Sequence, residues 1–306
     1  MVYDHISTHY ISYVMTSLRV MLAVKLSVAI IFFLVLKAVE PVRDDLYDAV
    51  YVADVEAVKS LVDIDPRILR PGRLDIDVNR TDGSQRTSLM MCGYDPQTEN
   101  SMIIDKKCRK ISKILFEKNM NIFYVDPLGW DALHMAAVRG LTKFCKYLIE
   151  QGVDMNRSDE DGRTSLMKAA GHGHFNTTAM LIKLGANTSL VDNAGQTVLH
   201  YATNLACGNE SYLPGLERLL PYLAEVDNPR DTEGRTALMH AVIGGGTLKV
   251  ISTLLAHGAN PRLHDDYGVS VLAMSRNRET TELLAEHMAR QVELDHDEWS
   301  KSQTEL

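Results

Sequence analysis

Cysteine is scarce in this 306-residue sequence: Cys92, Cys108, Cys145 and Cys207 are the four present, with no CxxC spacing and no clustered histidines beside them. That pattern argues against a zinc site, which needs closely grouped thiolate and imidazole ligands. Cys108 and Cys145 fall on apolar helix faces, where a cysteine packs as a small hydrophobe. The even count also permits disulfides in an oxidising compartment, and the spacing leaves their connectivity open. Positive charge is in deficit too, with 32 Lys and Arg against 40 Asp and Glu for a formal charge of −8. A nucleic-acid partner is therefore not expected, because phosphate binding needs a basic face. The balance fits a neutral or basic protein partner. Nucleophile elbow, phosphate-binding loop and metal-ligand motif are all missing. Gly171-His172-Gly173-His174 offers two imidazoles without a third ligand, and Gly244-Gly245-Gly246 has no lysine beside it for phosphate. No catalytic, cofactor-binding or metal-binding residue is expected.

What is present begins with one long apolar run. Composition as a whole, 45% hydrophobic and 24% charged, is that of a soluble globular chain, so a membrane segment must be local. Residues 20–36 read VMLAVKLSVAIIFFLVL, seventeen residues. As a helix they span about 26 Å, just short of the roughly 30 Å hydrocarbon core. Lys25 is the single charge, close enough to one end for its stem to snorkel. Twelve Leu, Ile, Phe and Val residues outweigh it on an insertion scale. A cleaved signal peptide fits poorly, because the apolar stretch sits late and Leu36-Lys37-Ala38 is a weak cleavage context. A buried globular helix finds no partner face downstream. The reading is an uncleaved single-pass anchor over 20–38, after an N-terminal flank of 1–19, contacting lipid through 20–36. Arg19 and Lys25 are balanced by Lys37 and Arg43, so orientation is not specified.

Beyond the run, the sequence repeats. An aspartate, a glycine three residues on, and a Thr/Ser/Asp-x-Leu-x tetrad recur at Asp126-Gly129-Asp131-Leu133, Asp159-Gly162-Thr164-Leu166, Asp192-Gly195-Thr197-Leu199, Asp231-Gly234-Thr236-Leu238 and Asp265-Gly268-Ser270-Leu272. The glycines are 33, 33, 39 and 34 residues apart. A degenerate copy lies at Asp82 to Met90, and a half-matching unit starts at Asp44. The units resemble the ankyrin-repeat family, a β-turn followed by two helices with a T-P-L-H-x-A signature. The second-helix half matches as well, in Tyr147-Leu148-Ile149 to Gly152, Leu181-Ile182 to Gly185 and Leu254-Leu255 to Gly258. The family's tetrad proline, which favours a helix start, is replaced in every copy by Ser, Ala or Val, and each helix start should soften slightly. The resemblance implies an all-α solenoid of about six or seven helix-turn-helix units over 44–287. Each unit is too small to bury its own apolar face, so neighbours supply the core.

The resemblance also implies a protein-binding groove lined by turn tips and first helices. The residue after each tetrad should face it: Met91, Met135, Lys168, Tyr201, His240 and Met274. The tips add Trp130, Arg163, Gln196, Arg235 and Tyr267. These are types that interfaces enrich, although Met135 and Met274 fit inter-repeat padding equally well. His134 and His200 are structural tetrad histidines by resemblance, and the His172–His174 stretch falls at an ordinary turn. Two copies carry extra residues, near Tyr94 to Lys106 and through Asn204 to Gly215, which read as surface loops or tolerated drift. Sequons at Asn79, Asn156, Asn176, Asn187 and Asn209 mostly coincide with repeat asparagines, so chance explains them. Residues 288–306 form an acidic tail, whose Thr304-Glu305-Leu306 end is too short to read as a PDZ ligand. The expected function is a non-enzymatic, membrane-anchored scaffold or accessory subunit that binds protein within a membrane-protein complex. The inner mitochondrial membrane and an endomembrane or plasma membrane both fit. A secretory glycosylated receptor-like protein is one alternative, marked by glycosidase sensitivity. The regulatory subunit of a separate enzyme is another, marked by co-purified activity.

Overall fold

The computed structural model describes residues 45–63, 77–94, 101–223 and 225–304. The run 20–36, and with it the expected anchor, lies outside the described residues. Among those described, no helix is long and apolar enough to cross a membrane. The chain divides into two units, Met1–Asp48 and Ala49–Leu306. Of the first only residues 45–48 are described, as the opening turn of α1 (Asp45–Tyr51).

The second unit is the two-layer helical stack that the period predicts. After α2 (Val55–Val62) come α3 (Ser101–Glu117), α4 (Ala132–Val138), α5 (Thr142–Glu150), α6 (Ser165–Gly171) and α7 (Phe175–Lys183). Then follow α8 (Val198–Gly208), α9 (Leu213–Leu219), α10 (Ala237–Ile243), α11 (Leu248–Ala256), α12 (Val271–Met274) and α13 (Arg278–Thr304). First helices α4, α6, α8, α10 and α12 pack on one another in sequence, and second helices α2, α3, α5, α7, α9, α11 and α13 form the other layer. The degenerate copy has turns instead of a first helix over 88–93. Leu133, Leu148, Leu166, Leu181, Leu216 and Leu238 fill the seam between layers, and buried Ala136-Ala137 and Ala169-Ala170 let first helices approach closely.

The missing prolines do not leave the helix starts uncapped. Asp131 accepts the His134 amide at 2.9 Å, and Thr164, Thr236 and Ser270 do the same for Met167, Met239 and Ala273 at 3.2–3.4 Å. Thr197 and His200 form a reciprocal capping box.

Both insertions build helix rather than plain loop. Residues 101–106 are the opening of α3, seventeen residues long against nine in α5. They are retained there because Ile104 is buried and Asp105 accepts the Lys143 and Phe144 amides at 2.9 and 2.7 Å. Asp105 thus caps α5 from the neighbouring repeat, where the α5 N-cap residue Leu141 has no side chain able to do so. The second insertion lengthens α8 to eleven residues and adds a 3₁₀ turn, Glu210–Tyr212, whose Tyr212 ring packs 6.2 Å from that of Phe175. Cys108 is not a lone hydrophobe: it is disulfide-bonded to Cys92, tying the 88–93 turns to α3. Cys145 is buried and unpaired as the apolar reading expects, and burial pushes its thiol pKa up. The acidic tail continues α13 without a break as far as Thr304.

Candidate functional site

Each hairpin that precedes a first helix is built on its aspartate. Through Oδ1, Asp126, Asp159, Asp192, Asp231 and Asp265 each accept the amides two and four residues on, at 2.7–3.1 Å. The residue two positions on becomes the tip: Leu128, Asp161, Ala194, Glu233 and Tyr267. Successive tips are joined by backbone bonds, Glu160 N–H to the Leu128 carbonyl, Asn193 to Asp161, Thr232 to Ala194 and Asp266 to Glu233, all 2.9–3.0 Å. Glycine is required under this ladder. Gly195 has φ +75°, and a Cβ there would sit 2.7 Å from the Thr232 nitrogen.

The second carboxylate oxygen explains the residues expected to line the groove. Asp159 Oδ2 takes Lys168 Nζ at 2.6 Å, Asp192 Oδ2 takes the Tyr201 hydroxyl at 2.7 Å, and Asp231 Oδ2 pairs with His240 Nε2 at 2.7 Å. In each case the donor stands nine residues after the aspartate. Where that residue is a methionine, the preceding hairpin supplies an arginine instead: Arg86 Nε lies 3.4 Å from Asp126, and Arg235 Nε 3.9 Å from Asp265. Each of these five aspartates therefore has a polar or charged partner at its second oxygen, drawn from its own first helix in the three middle hairpins and from the preceding hairpin's arginine in the first and last.

Of the residues expected on the groove, Met91, Met135 and Lys168 are buried, which corrects their expected exposure: the first two pack in the core and the third is held by Asp159. Tyr201 and His240 are half-buried donors in the ladder. Burial and the Asp192 hydrogen bond both push the Tyr201 phenol pKa up. Trp130 is half-buried beneath the Lys168 ammonium, 4.0 Å from its ring centre, and so is not a free tip tryptophan. Gln196 and Met274 are half-buried. Arg163 pairs with Asp161 at 3.3 Å, and Arg235 pairs with Glu233. Tyr267 is 75% exposed and Leu128 52%, marking the apolar ends of a row whose middle is charged. Leu128 was not singled out in the sequence, although its two-residue offset from Asp126 matches that of Tyr267.

The repeat description "Ankyrin repeats (3 copies)" matches residues 46–159, 145–214 and 203–296. The chain is an ankyrin-repeat protein. Its stack is similar to the ankyrin repeat domain of human ASB11, with a TM-score of 0.62 and 19% identity over 79% of this chain and 96% of that one. It is also similar to the ankyrin repeat domain of Bcl-3, described as a unique member of the IkappaB protein family, with a TM-score of 0.59 and 22% identity over 79% of this chain and 97% of that one. At these identities the likeness concerns the fold alone. No curated protein matches the sequence. Ankyrin repeats are protein-interaction modules and generally non-catalytic.

The two histidines of the Gly171–His174 turn in this ankyrin stack bind backbone. His172 Nδ1 contacts the Lys168 carbonyl and His174 Nε2 the Val138 carbonyl, both at 2.8 Å. Among the described residues no group of three His, Cys, Asp or Glu side chains could hold a metal. His200 accepts the Thr197 amide on Nδ1 at 3.1 Å and donates from Nε2 to the Arg235 carbonyl at 3.3 Å, so the neutral ring links two repeats. Burial, then the His240 ring 5.1 Å away, hold its pKa down to about 4 from an ordinary 6.5. A base whose pKa is lowered by folding contributes stability that is complete above its unfolded pKa and is lost as pH falls from there toward the folded one. Between pH 7 and pH 5 the chain should lose about 2 kcal/mol through this residue. Urea unfolding of His200→Gln across that range should lack this part of the slope, and an unchanged slope would assign it elsewhere.

Proposed function

We propose that this chain is a non-catalytic scaffold or accessory subunit, held at a membrane by residues 20–36, whose row of hairpin tips docks a protein of a membrane complex. The observation that carries the docking surface is Tyr267, 75% exposed at a rigid turn whose conformation Asp265 fixes through two amide bonds. A large aromatic held still in solvent offers contact area at little entropic cost. Arg163, Gln196, Arg235 and Trp130 stand half-buried two residues behind the tips and flank the row. Met135, Lys168, Tyr201, His240 and Met274 contribute by setting the shape of the tips rather than by reaching out. The membrane part of the reading is supported by the length and apolarity of residues 20–36, and an anchor would raise the effective concentration at a surface, making a weak tip contact sufficient.

Purification of the full chain in mild detergent, with co-migrating protein identified, tests both halves. Tyr267→Ala combined with Leu128→Ala should weaken capture of that protein about tenfold or more, as expected for loss of a hot-spot aromatic, with unchanged thermal unfolding. Undiminished capture by the folded variant would remove the tips as the contact. The Cys92–Cys108 bond favours a second placement, with the repeats in an oxidising compartment. A glycosidase-induced mobility shift of the same preparation would support that placement.

A further inference from the structure

The outward face of α3 differs in sign from the acidic chain that carries it. At helical spacing Ile104, Cys108, Ile111 and Leu115 are buried, while Met102, Lys106, Arg109, Lys113 and Phe116 lie on the opposite stripe and are exposed. Ile103 and Lys110 widen the stripe. The helix holds five cations and two carboxylates, and one of those carboxylates, Asp105, is buried against the α5 amides. Its charge is thereby withdrawn from the outward side. Lys106, Arg109 and Lys110 form no ion pair with any described residue, and Lys113 stands 5.9 Å from the Tyr147 ring centre. On α5, Lys143 and Lys146 join Arg109 around a shallow cleft of about 250 Å³, where Glu150 is 3.9 Å from Lys146.

The same face exposes Met102 by 67%, Ile103 by 46% and Phe116 by 44%. Those apolar side chains stand at the two ends of the basic stripe and make the exposed face of the helix amphipathic. The cations are mostly lysine, a type that protein interfaces deplete and that anionic lipid surfaces attract. Their long stems can lie along an apolar boundary while the ammonium groups reach phosphate. We propose that the outward face of α3, with Lys143 and Lys146 of α5, docks on a bilayer surface containing anionic phospholipid. The cations meet headgroup phosphates, and Met102, Ile103 and Phe116 sit at the acyl boundary. The surface follows from charge and exposure and does not depend on the anchor.

The test uses the full chain with vesicles of phosphatidylcholine alone and of phosphatidylcholine mixed with phosphatidylserine. Flotation and amine-reagent labelling of Lys106, Lys110 and Lys113 are both read, with Lys249 as the reference. Labelling of the three should fall several-fold on the mixed vesicles only, and raised salt should restore it. Lys106→Glu with Lys110→Glu should abolish the protection of the remaining Lys113 and the salt-sensitive flotation, since each cation is worth about fivefold in partitioning. These outward side chains leave the core untouched, and circular dichroism checks that the variant is folded. If the anchor reading fails and docking holds, the chain floats with the mixed vesicles alone and salt releases it. If docking fails and the anchor holds, it floats with both and the lysines label equally. Equal labelling, or flotation with neither, overturns the proposal.

Discussion

Gly195→Ala is expected to destabilise the repeat stack by about 3 kcal/mol, whereas Gly268→Ala, the same substitution at the last hairpin, should cost about 1 kcal/mol. Both glycines hold a left-handed turn, with φ +75° and +74°, so the penalty for placing a side chain there is common to both. The difference is what lies above. A Cβ on Gly195 meets the backbone of Asp231 and Thr232 at 2.7–2.8 Å, and the Thr232 to Ala194 hydrogen bond clamps that strand in place. Backbone cannot rotate away as a side chain would, so either the hydrogen bond breaks or the two repeats separate. A Cβ on Gly268 meets nothing within 4 Å. Urea unfolding of the two variants supplies the comparison. Equal losses would mean that the turn conformation alone, and not the closeness of stacking, demands glycine in this chain.

Most of the stack was legible because its cause is periodic. An aspartate that binds two amides, a glycine three residues on and a capping threonine are local needs, repeated wherever a repeat begins, and they show as spacing. The apolar second-helix pattern then placed the other layer. Features built once were hidden. Asp105 caps α5 from another repeat, across thirty-eight residues, so no local spacing marks it. Cys92 and Cys108 meet because the 88–93 turns pack against α3, a pairing of two elements that no spacing in the sequence marks. Met135 and Lys168 are buried on a different ground, Met135 as the padding its type also suited. Position after the tetrad does set a common direction, but that direction leads back to the turn aspartate, and whether a side chain reaches solvent depends on the donor its neighbour provides. The exposed tip Leu128 is legible from the two-residue offset it shares with Tyr267, which the sequence did mark as a tip. The basic stripe of α3 could have been found by plotting residues 101–117 on a helix.

The use of two sources for the aspartate's partner makes a compensating exchange possible. Lys168→Met alone should cost about 3 kcal/mol, since it strips Asp159, with its side chain 1% exposed, of the cation that pairs with it at 2.6 Å. Methionine stands at that position as Met135 and Met274, and as Met91 in the degenerate copy, and beside the first two an arginine from the preceding hairpin serves the aspartate. The corresponding position before Asp159 is occupied by Trp130, which instead lies under the Lys168 ammonium. Trp130→Arg with Lys168→Met recreates the arrangement found at Asp126 and Asp265. It is expected to recover most of the loss, leaving the double variant within about 1 kcal/mol of the parent chain. Trp130→Arg alone should also destabilise, because it sets a guanidinium against the buried ammonium it displaces from the ring. A double-mutant cycle by urea unfolding measures the coupling, and strictly additive losses would show that the aspartates are indifferent to which side their donor comes from, or to having one. A coupling of the expected sign would instead make the hairpin row a chain of interchangeable hydrogen-bond and ion-pair joints, each fixing the direction of the tip it supports.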